Sequence, residues 1–324
     1  MNNARLPTLE DVARRAGVSR GTVSNVFNHP ARVRDEVRER VEAAARALGY
    51  AGPDPRGRLL RDGRVNALGF VVPGEFGIAN LLSSPYGREL VVGMAEACDE
   101  AGLSLTLIDG QRRQIGTAMR EALVDGFMIG NAGDRDLIEQ AARRRLPFVV
   151  MDVPPDPTIN TISIAARSGA LAAARHLTGL GHRRIAIVSV RRSRGGPLIH
   201  PPGPGHRLAD GIELDHEKLD GYAEGLAEAG LSLDQCPIVE SRPADPDVGR
   251  AILDAAPTAT GLLVMSDRQA LTILAEATAR GIRVPEQLSI IGFDGVPESA
   301  TSSPPLTTIT QPVREKGRLA ARLL

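Results

Sequence analysis

The sequence predicts an α plus α/β chain: a three-helix N-terminal head, a short connector helix, and a two-lobed body on doubly wound parallel sheets. Three observations predict it. Residues 8–48 carry apolar side chains at helical spacing, broken by single glycines. From Val65 onward, short β-rich apolar runs alternate with amphipathic stretches. Those runs fall into two successive sets, which implies two parallel sheets with helices on both faces and a cleft beyond the carboxyl ends of their strands. With 324 residues and 42% apolar content, the chain has material for two or three domains.

Thr8 is suited to cap the first helix, and Asp11 three residues on completes an approximate capping box. Leu9, Val12, Ala13 and Ala16 then make one apolar face, and Gly17 fits the left-handed residue that ends such a helix. Ser19 can cap a second helix in which Val23, Val26 and Phe27, with Val18 just before it, face inward. That leaves Arg20, Gly21, Ser24 and Asn25 outward. A third helix from Asp35 to Leu48 presents Val37, Val41, Ala44, Ala45 and Leu48, and stops at Gly49. Three short helices with a polar, basic second-helix face make a helix-turn-helix domain, whose second helix meets a DNA major groove.

Charge points the same way. The formal net charge is zero, yet residues 1–64 hold 13 arginines against 8 acidic residues, while the remainder holds 26 basic against 31 acidic. A basic head on an acidic body predicts that only the head meets a polyanion. Helical pairs such as Glu36–Arg40 and Glu42–Arg46 neutralise part of this excess. In the connector, 51–64, Pro53 and Pro55 end the head, and Arg56 to Arg61 can form about a turn and a half of helix, too short to persist alone in water.

In the body, "ALGFVV", "LSLTLI", "GFMIG", "PFVVMD" and "TISI" form one strand set, and "RIAIVSV", "PIVES", "GLLVMSD" and "LSIIGFD" the other. Helical patterns run over 88–101, 134–145, 168–180, 218–229, 246–255 and 267–280. Residues 191–211 are Pro/Gly-rich and are expected to be a surface loop. Asp152, Asp267 and Asp294 each end a strand run, where a carboxylate can accept hydrogen bonds from the hydroxyls of a sugar or nucleoside. Phe76, beyond the first strand, can stack on a ligand ring.

The segment from Thr8 to Tyr50, with "DVARRAGVS", "TVS", "FN" and "VRERVEAAARALGY", resembles the headpiece of lactose-repressor-family transcription regulators. The resemblance continues through "GRLLRDGR", "LGFVVP", "GLGHRRIAIV", "LDGYAEGLAEAG", "MSDRQALTIL", "LSIIGFDG" and "PPLTTITQP", nearly the whole chain. It implies a headpiece over 1–50, a hinge over 51–64, and a periplasmic-binding-protein-like core. In that core lobe 1 takes 65–163 and 295–324, and lobe 2 takes 164–294. It also implies a homodimer on a palindromic double-stranded operator, controlled by a small-molecule effector between the lobes, with repression as the commoner role.

Residue by residue, the resemblance makes Arg20, Gly21 and Asn25 the base-reading face. Arg20 can donate twice to a guanine edge, and Asn25 can pair with adenine. Thr8, Ser19, Thr22, Ser24 and Asn28 fall to caps and phosphate contacts. Arg58 matches a hinge arginine, and Leu60 the leucine that wedges into the minor groove. Asp152, Lys218, Asp267 and Asp294 match effector positions.

Several features depart from the family pattern. Gly21 replaces a side-chain-bearing residue, Gly57 a common hinge alanine, and Lys218 a usual arginine, whose planar fork an ammonium does not reproduce. Ala165 and Ala166 stand where acidic or amide residues are frequent, and the chain has no tryptophan. Relatives also continue past the equivalent of Leu324 into a strand of the second lobe, so an edge strand of that lobe is expected to lie beyond this sequence.

Other classes fit poorly. There is no Gly-x-Gly-x-x-Gly after a strand, no P-loop and no Gly-x-Ser-x-Gly elbow, so no enzyme is expected. A transport binding protein would need a secretory signal, and the N-terminus lacks its basic start and apolar block. No apolar run spans a membrane, and Cys98 and Cys236 suit a reducing cytoplasm, with the nucleoid as its site when DNA-bound. His200, His206 and His216 lack ligand spacing, so neither metal nor cofactor is expected.

Overall fold

The computed structural model describes residues 7–52, 63–73, 77–110, 115–130, 135–209 and 211–324. The expected hinge helix, with Arg58 and Leu60, and Phe76 lie outside them. The chain divides into two compact units, 1–65 and 66–324.

In the first unit the local signals hold. Helix α1 (Leu9–Ala16) opens on a capping box: Thr8 N donates to Asp11 Oδ2 at 2.9 Å, and Asp11 N to Thr8 Oγ1 at 3.4 Å. Gly17 closes it at φ 65°, a left-handed conformation that a Cβ disfavours. Helix α2 (Arg20–Asn28) is capped by Ser19, whose Oγ accepts from Thr22 N at 3.1 Å. Helix α3 (Asp35–Leu48) ends on Gly49 at φ 66°. The chain then turns the Tyr50 ring edge-on to Phe27, with centroids 5.6 Å apart. Val12, Val23 and Val41 are fully buried at the centre, ringed by Ala13, Ala16, Val26, Ala44 and Ala45. Small side chains let three short helices approach closely, and each buried valine stabilises by roughly 1.5–3 kcal/mol.

The second unit begins with β1 (Ala67–Pro73), α4 (Gly77–Ser83), α5 (Pro85–Ala101), β2 (Ser104–Gly110) and α6 (Ile115–Glu121). It continues with β3 (Gly126–Ile129), α7 (Arg135–Arg143), β4 (Phe148–Met151) and β5 (Asn160–Ile162). Among the described residues these strands form one parallel sheet, ordered β2-β1-β3-β4-β5. Phe70, Met94, Met128, Val149 and Met151 pack in its core.

The chain then passes to a second lobe. That lobe holds α8 (Ala166–Gly179), β6 (Ile185–Val190), β7 (Leu198–His200), α9 (Glu213–Ala227), β8 (Ile238–Ser241) and α10 (Val248–Ala255). After them come β9 (Gly261–Val264), α11 (Asp267–Ala279), β10 (Ser289–Asp294), α12 (Pro297–Thr301) and β11 (Thr307–Thr310). The sheet order is β11-β10-β9-β6-β8-β7, parallel except where β7 meets β8. Tyr222, Leu226 and Ile187 fill one face, and Val188, Ile252 and Ile273 the other. Alternate residues of β6 thus feed opposite cores, as the two-residue repeat of a strand requires.

The last helix, α13 (Val313–Arg322), returns to the first lobe, where Val313, Ala320 and Ala321 join the core. Its approach to α5 needs two glycines. A Cβ at Gly93 would stand 1.9 Å from Arg314 O, and one at Gly317 2.2 Å from Leu90 O. Ion pairs from Arg314 and Arg318 to Glu96, and from Arg322 to Glu100, line the same seam.

Two expectations need correction. Residues 295–324 do not all return to lobe 1. Strand β11 pairs with β10 in the second sheet, Ile291 opposite Thr307 and Asp294 opposite Thr310, and only α13 returns. The open edge of β10 offers backbone groups that a β-branched run can satisfy. The segment 191–211 is likewise not all loop. It contributes β7, an edge strand held where His200 Nε2 meets the buried Glu240 Oε1 at 2.6 Å.

Candidate functional site

Two surfaces gather the residues singled out from the sequence. On α2, Arg20, Gly21 and Asn25 are exposed, while Val23 and Val26 turn into the core. That division follows from helical geometry: the inward positions recur at three, which leaves one continuous polar strip. A Cβ on Gly21 would meet only Ser19 Oγ, at 3.6 Å, so the glycine is not required by packing. Ser19 and Thr22 are tied together, with their hydroxyl oxygens 2.9 Å apart. Thr8 Oγ1 donates to Asp11 Oδ2 at 2.7 Å, and Asn28 Nδ2 to Ser24 Oγ at 3.1 Å. These five side chains therefore also serve their own helices.

The second surface is a cavity of about 170 Å³ between the two sheets of the body, beyond the carboxyl ends of β1, β4, β6, β9 and β10. It slightly exceeds the roughly 150 Å³ cavity that admits benzene. A six-membered ring with small substituents matches it in size. Phe70, Val72, Met151, Val190 and Met265 supply an apolar floor.

Asp152, Lys218 and Asp294 line this cavity; Asp267 does not. Asp152 and Asp294 have φ 60° and 135°, conformations that cost a non-glycine residue of order 1–3 kcal/mol and persist where surrounding structure imposes them. Asp152 is held by Lys316 of α13, whose Nζ donates to Oδ1 at 2.9 Å and Oδ2 at 3.0 Å. Tyr86 OH adds a 3.4 Å bond, and Lys316 in turn donates to Tyr86. Burial opposes the Lys316 charge, but contacts with Tyr86 and Asp152 outweigh it and raise the pKa.

Asp294 Oδ1 accepts from Gln311 Nε2 at 2.7 Å, and Oδ2 from Ser266 Oγ at 3.4 Å. Burial pushes its carboxyl up to about 7, with the attraction of Lys218 opposing. Lys218 donates to Met265 O at 3.0 Å and lies over the Phe293 ring, 4.1 Å from its centroid. Burial holds this ammonium below the usual lysine value, against the pull of Asp294.

Asp267, expected in the cleft, is instead a structural hub with no exposed surface. Its Oδ2 accepts from Gly295 N at 2.8 Å, Val296 N at 3.0 Å and Ser299 Oγ at 2.8 Å, and its Oδ1 from Thr308 Oγ1 at 2.6 Å. The carboxylate thereby fastens α11, α12 and β11 together. Four hydrogen bonds engage the carboxylate, and with no exposed surface and no place in the cavity wall it meets no ligand.

Other cleft groups escaped the sequence reading. Arg192 follows β6 and pairs with Asp215 of α9, a carboxylate that also accepts from Ile212 N at 3.0 Å. Arg268, the second residue of α11, donates from Nη1 to Asn80 Oδ1 of α4 at 3.2 Å, across the two lobes. Ser84, Tyr86, Ser266 and Gln311 add to the polar lining. For Arg192 a signal existed, because it lies at the end of a strand run. For Asp215, Arg268 and Lys316 only the folded helices bring the side chains in. Ala165 and Ala166 open α8, and Ala166 is buried.

Comparison with known proteins covers both surfaces. Residues 8–52 match the family described as bacterial regulatory proteins, lacI family. Residues 66–197 match periplasmic binding proteins and the sugar binding domain of the LacI family, and 174–324 a periplasmic binding protein-like domain. The chain is 37% identical to the HTH-type transcriptional regulator Rv3575c of Mycobacterium tuberculosis, over 99% of this chain and 90% of that protein. Among solved structures it resembles a complex of the transcriptional regulator CelR with cellobiose (29% identity, TM-score 0.67, 98% of this chain and 92% of that one). It also resembles a lac repressor dimer bound to operator and the anti-inducer ONPF (26% identity, TM-score 0.75, 98% and 92%).

Proposed function

Because the chain belongs to the LacI family of bacterial transcriptional regulators, we propose that it represses transcription by binding a two-fold symmetric operator as a homodimer, under control of a small molecule bound in the cleft. The outward strip of α2 carries this reading: Arg20 and Asn25 stand exposed on a helix whose opposite face is locked into the core. Arg20 reads a guanine edge, Asn25 an adenine, and Gly21 lets the backbone approach the groove. Thr8, Ser19, Thr22, Ser24 and Asn28 fix caps and phosphates. In the connector, Arg58 and Leu60 join the DNA contact, with Leu60 as minor-groove wedge.

Asp152, Lys218 and Asp294 contact the effector, and Phe76, outside the described residues, is assigned to stack on a ligand ring. In this reading 1–50 is the headpiece, 51–64 the hinge, and the body two lobes that share the C-terminal segment through β11 and α13. Its relatives are transcriptional regulators rather than enzymes, and the proposal assigns no catalytic residue. No helix among the described residues is long and apolar enough to cross a membrane, and a DNA target suits the cytoplasm.

Selection from a randomised duplex pool tests the reading. The full-length protein is expected to enrich a palindrome. Arg20→Ala should lose about 1–3 kcal/mol of preference at one base pair per half-site while keeping most affinity for random duplex. Failure to enrich any two-fold symmetric site, with and without candidate sugars, would sink it.

A further inference from the structure

We infer that the molecule recognised in the cleft carries an oxyanion, a carboxylate or phosphate ester, gripped by the guanidinium of Arg268. The inference rests on the cleft being the effector site.

Among the described residues, the charges around the cavity do not cancel. Asp152 is matched by Lys316, Asp215 by Arg192, and Asp294 faces Lys218. Arg88, next in sequence to the lining residue Gly87, is matched by Glu298. Arg268 is different. It lines the cavity, yet its hydrogen bond is to the neutral Asn80, and no carboxylate pairs with it among the described residues. Burial and the like charge of Arg88 both hold its pKa below the usual arginine value. A half-buried guanidinium with no carboxylate beside it among the described residues is poorly solvated, and an incoming anion relieves it.

Its position suits that task. Arg268 stands on the second lobe and touches Asn80 of the first, so an anion held there is gripped at the seam where the lobes meet. Most of its N–H donors stay uncommitted among the described residues, and their planar fork fits the paired oxygens of a carboxylate or phosphate. The floor of Phe70, Val72, Met151 and Met265 receives the carbon skeleton, while Asp294 and Gln311 take hydroxyl groups.

Calorimetry on the full-length protein tests this with matched pairs: glucose against glucuronate, and glucose against glucose 6-phosphate. At least one acid is expected to bind ten times or more tighter than its neutral partner, and the two arms separate carboxylate from phosphate. Arg268→Gln should lower acid affinity about tenfold to a hundredfold and so abolish the preference for the acid over glucose, while Arg268→Lys keeps part of that preference. Unliganded melting temperatures report whether each variant is folded. Equal or tighter binding of the neutral sugar, an acid preference that survives Arg268→Gln in folded protein, or no binding by any of the three overturns the inference. Glucose binding without acid preference would leave the effector cleft itself standing, and operator selection is scored separately.

Discussion

At Asp294 the environment changes the chemistry of a carboxyl group within the physiological pH range. In the unfolded chain an aspartate titrates near ~3.9, whereas burial moves this carboxyl up to about 7. Between those values the folded protein holds a proton that the unfolded chain has released, so this group makes stability fall as pH rises from about 4 to about 7 and level off above. An asparagine in this place mimics the protonated acid. Asp294→Asn is therefore expected to gain on wild type by a few kcal/mol between about pH 4.5 and about pH 7.5, because each tenfold change in a protonation equilibrium is worth about 1.4 kcal/mol. Urea unfolding at both pH values checks it, and a pH-independent difference would contradict the assignment. Position at a strand end marked Asp294 and Asp267 alike in the sequence. What separated them was the partner set: two backbone amides and two hydroxyls converge on Asp267, whereas Asp294 stays at the cavity wall.

Elements with strong local signals were legible. Helices α1, α2 and α3 end where Thr8, Gly17, Ser19 and Gly49 say they should, because caps act within one turn. β7 and β11 were not, since a three- or four-residue run becomes a strand only when an edge is there to pair with it. Helix α13 lies between these cases. Its amphipathic pattern is plain, but its docking depends on Gly93 and Gly317 in a different stretch of chain. Gly93→Ala would gain up to about 1 kcal/mol of helix propensity, yet its Cβ would fall 1.9 Å from a backbone carbonyl oxygen. Overpacking of that kind typically costs about 1–3 kcal/mol. The variant is thus expected to be destabilised on balance, and thermal unfolding measures it; an unchanged or raised melting temperature would mean that α5 and α13 separate without penalty.

For the whole molecule, the proposed function makes operator and effector linked ligands of one chain. A cleft ligand that changes operator affinity by some factor must itself bind operator-loaded protein with affinity changed by the same factor. Values of about 5 to 150 are usual for such coupling. Titrating operator at saturating ligand, then ligand at saturating operator, should return equal factors; unequal ones would break the proposal of a single shared equilibrium. The sequence by itself determined the basic three-helix reader, the alternation that makes two parallel sheets, and the strand ends where a cleft opens. Each is written in short-range spacing, caps or charge. Only the tertiary structure decided which carboxylates face that cleft, which cation opposes each one, and that among the described residues Arg268 is left without a carboxylate. Those outcomes depend on side chains tens to hundreds of residues apart meeting in a poorly solvated space, where the strength and balance of charge are set by neighbours rather than by residue type.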